Sequence, residues 1–76
     1  MSTKNCYETT DLGIAAFLVA QDIPLLGLAP GEGRQYKFRF PVQAAELAQG
    51  YYQNASVRAR AFFCAIRDLK AMLREA

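Results

Sequence analysis

The chain has no histidine and no tryptophan, and only two of its 76 residues are cysteine. Without histidine, no side chain has an ordinary pKa suited to general-base work near neutral pH, and no imidazole can ligate a metal. Cys6 and Cys64 stand far apart, in no Cys-x-x-Cys spacing, which argues against structural zinc and for two free thiols. The longest apolar run, Leu12 to Ala20, has nine residues, whereas a membrane-spanning helix needs about 20. The opening MSTKNCYE has no apolar signal-peptide core. These absences set the expectation of a soluble, cytoplasmic protein with no cofactor, no metal and no membrane association.

Acidic residues are scarce in the second half. Up to residue 33, Lys4 stands alone against Glu8, Asp11, Asp22 and Glu32. After it, eight cations face only Glu46, Asp68 and Glu75. A net charge of +2 thus hides −3 in one part and +5 in the other. Such asymmetry marks either a surface that faces nucleic acid or a plain solubilising face.

What is present reads as one α+β domain over 1–76. A chain this short buries only about 60% of its unfolded surface, so a partner chain is one route to stability. Residues 5–9 (NCYET) alternate as a short strand. Thr9 or Thr10 then caps a helix over 11–21 whose interior, LGIAAFLVA, is apolar all round and so must be buried on several sides, by a sheet and by other helices or a second subunit. Gly13 inside it suggests close approach by a neighbour's backbone. Leu25–Ala29 and Arg34–Phe40 form a hairpin around Pro30-Gly31-Glu32-Gly33. In RQYKFRF, Tyr36, Phe38 and Phe40 point to one side, Lys37 and Arg39 to the other.

Pro41 suits the first turn of a second helix, which runs over 42–53 with Ala44, Leu47, Ala48, Tyr51 and Tyr52 on one side. Asn54 or Ser56 is the expected cap of the last helix, Ser56 to Glu75. That helix places Ala59, Phe62, Ile66, Leu69 and Leu73 on one face, with Arg60, Arg67, Lys70 and Arg74 away from it. The order is β-α-β-β-α-α, with a three-stranded, mostly antiparallel sheet packed by helices. The expected core is Leu12, Ile14, Phe17, Leu18, Leu26, Phe38, Phe40, Phe62, Ile66 and Leu69.

The opening YETTDLGIAAF, followed by PLLGL, YKFRF, YYQNASV, RAFF and AIRDLKAMLRE, resembles a family of small bacterial and phage-borne proteins classed as a domain of unknown function. In that family a Tyr-Glu-Thr-x-Asp-Leu opening precedes an Ala-Ala-rich helix, and an Arg-x-Phe-Phe helix comes later. The resemblance covers nearly the whole chain. Gln53-Asn54 stands where the family more often has Asn-Gly, and Gln21-Asp22 replaces a glycine-containing turn. The family carries no established activity, so the resemblance implies an architecture and no catalytic residues.

No catalytic constellation stands out. Glu8 and Asp11 read as helix-start electrostatics, and Gly31-Glu32-Gly33 lacks the Lys-Ser/Thr ending and the strand-to-helix setting of a phosphate loop. The chain is therefore read as a non-enzymatic binding protein. Nucleic acid is one expected partner, contacted by Arg60, Arg67, Lys70 and Arg74 on the last helix and by Lys37 and Arg39 on the aromatic strand. The alternative is a protein–protein module, a homodimer or a subunit docking on a larger complex, using the all-apolar first helix and Phe63.

Overall fold

The computed structural model describes residues 6–76. It contains β1 (Cys6–Thr9), α1 (Leu12–Ala20), β2 (Gly27–Pro30), β3 (Tyr36–Pro41), α2 (Ala44–Tyr52) and α3 (Ala59–Glu75). The three strands form one sheet in the order β1-β3-β2, and both pairings are antiparallel. Asn5, expected to open the first strand, lies outside the described residues.

The turn from β1 into α1 is built from the opening motif. Thr9 Oγ1 accepts from the Asp11 N–H at 3.1 Å, and Asp11 Oδ1 accepts from the Ile14 N–H at 3.1 Å. Asp11 is therefore the N-cap, not Thr9 or Thr10, because the Thr9 hydroxyl is engaged in holding Asp11.

Six of the nine residues of α1 are buried: Ile14, Ala15, Ala16, Phe17, Leu18 and Ala20. Its neighbours are α3 and α2, and the inward side of the sheet supplies Phe38 and Phe40 to the same cluster. A helix without a polar face is thus satisfied inside its own chain, with no second subunit needed to cover it. Gly13 does mark a close approach, but by a side chain and not by backbone: a Cβ built there would overlap the Tyr51 hydroxyl.

Helices α1 and α2 end in the same way. After α1, the Ile23 N–H donates to Leu18 O and the Asp22 N–H to Val19 O. After α2, the Ala55 N–H donates to Gly50 O and the Asn54 N–H to Tyr51 O. Each is a Schellman motif, and each puts a non-glycine residue in the left-handed region, Asp22 at φ 68° and Asn54 at φ 59°. Asn54 is therefore used in ending α2, and it does not cap α3. Ser56 does not either; α3 starts at Ala59 after Arg58, with no side-chain cap bond. Val57 and Phe62, the N′ and N4 positions of a hydrophobic staple, are both partly buried against the core.

The β2–β3 hairpin turns at Glu32–Gln35, where the Gln35 N–H donates to Glu32 O and Gly33 takes φ 62°. Both flanking prolines belong to strands: Pro30 ends edge strand β2, and Pro41 ends β3 opposite Cys6 and does not start α2. At the other end of β2 the pairing bulges. Gly27 is opposite Arg39, yet the Leu26 N–H also donates to Arg39 O at 2.7 Å. Two residues facing one shift the alternation by a place. Leu28 and Leu25 therefore pack on the core, and Leu26, expected inside, is 56% exposed.

The rest of the expected core is present. Ile14, Phe17, Leu18, Phe38, Phe40 and Leu69 are buried, joined by Ala44, Ala48 and Ala65, with Leu12, Phe62 and Ile66 packed around them. Ala59 is exposed, being in the first turn of α3. On α2, Leu47 and Tyr52 fall on the two flanks of the arc formed by Ala44, Ala48 and Tyr51, and both are exposed.

Candidate nucleic-acid interface

Helix α3 is the longest element, about 25 Å from end to end. Its inward side is Phe62, Ala65, Ile66, Leu69 and Leu73. Its N-terminus is fixed to the far end of α1, where Arg58 Nη2 donates to Ala20 O at 3.1 Å and lies 3.4 Å from Asp22 Oδ2. Near its C-terminus, Leu73 lines a concavity with Leu12, at the start of α1. The two helices therefore run antiparallel, and Leu73 packs against the core near the C-terminal end of α3.

This anchoring presents a regular outer stripe. Arg60, Phe63, Arg67, Lys70 and Arg74 are spaced three, four, three and four residues apart, so they share an arc of about 80°, roughly 130° round the helix from the buried side. All five are exposed. Arg67 Nε lies 3.9 Å from Asp68 Oδ1, a solvent-exposed pair of neighbouring residues that restrains the guanidinium little. Among the described residues, Arg60, Lys70 and Arg74 make no ion pair. Arg74 also sits in the last turn, where a cation complements the helix dipole.

Lys37 and Arg39 sit in a different setting. They alternate with buried Phe38 and Phe40, so they project from the sheet face that the helices leave open. Glu8 is opposite Arg39 on β1. Its carboxylate lies 3.4 Å from Arg39 Nε and 3.8 Å from Lys37 Nζ. Arg39 Nη2 donates to Cys6 Sγ at 3.5 Å. The hydrogen bond to Cys6 first, and the charge of Glu8 after it, push the Arg39 pKa further up from its ordinary value. The ion pairs lower the net field of this face.

The six cations read from the sequence thus form two groups. Four line α3, and among the described residues only Arg67 has an ion pair, the weak one with Asp68. Two lie on the open sheet face, bridged by Glu8. Phe38 and Phe40 are in the core and provide no stacking surface beside the second pair; Tyr36, only partly buried, alternates to the same side of β3 as they do. Phe63, read from the sequence only as an apolar docking residue, belongs to this stripe. It is 63% exposed in the middle of the cationic stripe, and the three-four spacing of Arg60, Phe63 and Arg67 was its signal.

Cys6 and Cys64 are both free thiols. Among the described residues, no three of Cys, Asp and Glu converge as a metal site, and no helix is long and apolar enough to cross a membrane. Compared with protein-family models, with curated proteins and with solved structures, the chain finds no match in any of the three.

Proposed function

We propose that this is a small non-catalytic binding protein, of the bacterial or mobile-element kind that its opening motif resembles, which holds nucleic acid along α3. One observation carries the reading: Arg60, Arg67, Lys70 and Arg74 line one exposed stripe of α3, and among the described residues only Asp68 draws on any of them. Four cations over about 21 Å meet a polyanion through phosphate contacts, which give affinity with little sequence preference. Lys37 and Arg39 are secondary in this reading, because Glu8 already neutralises part of their charge.

A protein–protein role has less support. Its main motive was an apolar helix in need of cover, and α1 is buried within the chain. Leu47 and Tyr52 flank α2 on different sides and form no single apolar face.

The test is a titration with duplex and single-stranded DNA and RNA at two salt concentrations. Four phosphate contacts give a slope of log affinity against log salt of about −3.6 on duplex and about −2.8 on single strands, and affinity is micromolar or weaker at physiological salt. Changing Arg60, Arg67 and Arg74 together to Ala flattens that slope while the fold stays intact. No binding at low salt, with a nuclease-resistant protein partner captured from host lysate, overturns the reading in favour of an interaction module.

A further inference from the structure

Phe63 is the largest exposed apolar side chain on α3, and it sits inside a row of cations. We infer that Phe63 is a base-stacking platform and that the α3 stripe takes single-stranded nucleic acid in preference to duplex. This rests on the electrostatic reading above and goes beyond it by naming the class of strand.

Three observations bear on it. First, Phe63 contributes nothing to the core. The buried side of α3 is occupied by its neighbour Phe62 together with Ala65, Ile66, Leu69 and Leu73, and Phe63 points elsewhere. Second, Arg60 lies one turn before it on the same stripe, Arg67 one turn after, and Lys70 and Arg74 beyond. An exposed ring among cations matches a ligand that alternates flat apolar surfaces with negative charges, as bases alternate with phosphates along a strand. In a duplex the base faces are stacked on one another and out of reach, so only an unpaired base can lie on the ring. Third, charge disfavours a second copy of the chain on this face. A two-fold contact centred on Phe63 brings the four cations of one copy against the four of the other. The helix's own carboxylates, Asp68 and Glu75, lie roughly 120–140° round from Phe63, too far to offset them. The occupant is therefore anionic and carries apolar faces of its own.

The test uses labelled oligo(dT) and oligo(U) of about 15 nucleotides, long enough for a single small module. A duplex and an abasic strand of the same length are run beside them. The unmodified protein should bind the single strands more tightly than the duplex. Phe63→Ala should weaken single-strand binding about 5- to 10-fold, the effect of losing one stacked base, without changing the salt slope or the duplex affinity. Phe63→Trp should keep the preference, and the abasic strand should bind the unmodified protein as weakly as oligo(dT) binds Phe63→Ala. A thermal melt of Phe63→Ala matching the parent excludes unfolding as the cause. Equal binding of single strand and duplex, unaffected by Phe63→Ala but weakened by the triple arginine change, overturns the stacking role and leaves the electrostatic reading standing. Loss of all binding dependence on those arginines, or an acidic protein captured through Phe63 after nuclease treatment, overturns both.

Discussion

The hydroxyl of Tyr51 on α2 lies over Gly13 on α1, so close that a methyl group there would overlap it and approach the ring's Cζ to 2.9 Å. The Tyr51 ring is itself set edge-on to Phe17, with centroids 6.0 Å apart, which limits how far it can swing aside. Two effects therefore oppose each other in Gly13→Ala. Helix propensity gains at most about 1 kcal/mol, whereas overpacking a filled site costs about 1–3 kcal/mol. The net outcome should be destabilisation by about 1 kcal/mol. In a Tyr51→Ala background the overlap with the tyrosine is gone, Asp11 Oδ1 at 3.2 Å needs to give way only slightly, and the same change should become stabilising. Urea unfolding of the four proteins in this cycle checks the reversal of sign.

Asn54 and Asp22 hold left-handed conformations at the ends of α2 and α1. Asn tolerates this region better than Ala, and Gly better still. Asn54→Gly should raise stability by about 0.5 kcal/mol, and Asn54→Ala should lower it by about 1 kcal/mol. Asp22→Gly should gain less, since it also removes the exposed pair with Arg58, a contact of small value. The denaturation midpoint, at an unchanged m-value, reports each effect.

Phe17 and Leu26 were both expected in the core, and only Phe17 is there. Phe17→Ala should cost about 3–5 kcal/mol, a large share of the stability of so small a domain. Leu26→Ala should cost under about 0.5 kcal/mol, because the bulge turns its side chain to solvent. Comparable losses for the two variants would show that the strand alternation is not shifted at Gly27.

That pair separates what is legible in the sequence from what is not. Period-2 and period-3.6 patterns gave the order of elements, the inward Phe38 and Phe40, and the inward Phe62, Ile66 and Leu69, because burial acts on whole faces. The bulge was hidden, since it depends on one glycine's backbone and on an extra bond to Arg39 across the sheet. The caps are not legible to the residue, because Thr9, Asp11 and Asn54 all have side chains suited to capping and only the chain path decides which role each takes. The cationic stripe was legible as helical spacing. The pairing of Lys37 and Arg39 with Glu8 was not, because it depends on β1 lying beside β3.

Arg58 illustrates a cation that is structural and not part of the stripe. Its guanidinium reaches the carbonyl of Ala20, one of the unpaired acceptors at the end of α1, and favours the negative pole of that helix. Arg58→Met keeps the apolar stem and removes the donor. It should lower stability by about 1 kcal/mol and leave nucleic-acid affinity nearly unchanged, as read by a melt and a binding titration on the same variant.

The two groups of cations separate in a charge-removal experiment. Glu8 lies between Lys37 and Arg39, so removing either of these cations leaves a carboxylate without part of its compensation on the open sheet face. Lys37→Ala and Arg39→Ala should therefore change nucleic-acid affinity by less than about 3-fold at low salt and leave the salt slope nearly as it was, since Glu8 already draws on both side chains. Each single loss from Arg60, Arg67, Lys70 or Arg74 should reduce the slope by about 0.7–0.9, the contribution of one phosphate contact on single or double strands. Glu8→Gln supplies the converse: freeing two cations on the sheet should leave the slope unaltered if binding is confined to α3. A steeper slope in that variant would mean that the sheet face joins the interface once its internal pairing is removed, and that the strand wraps from α3 onto the sheet.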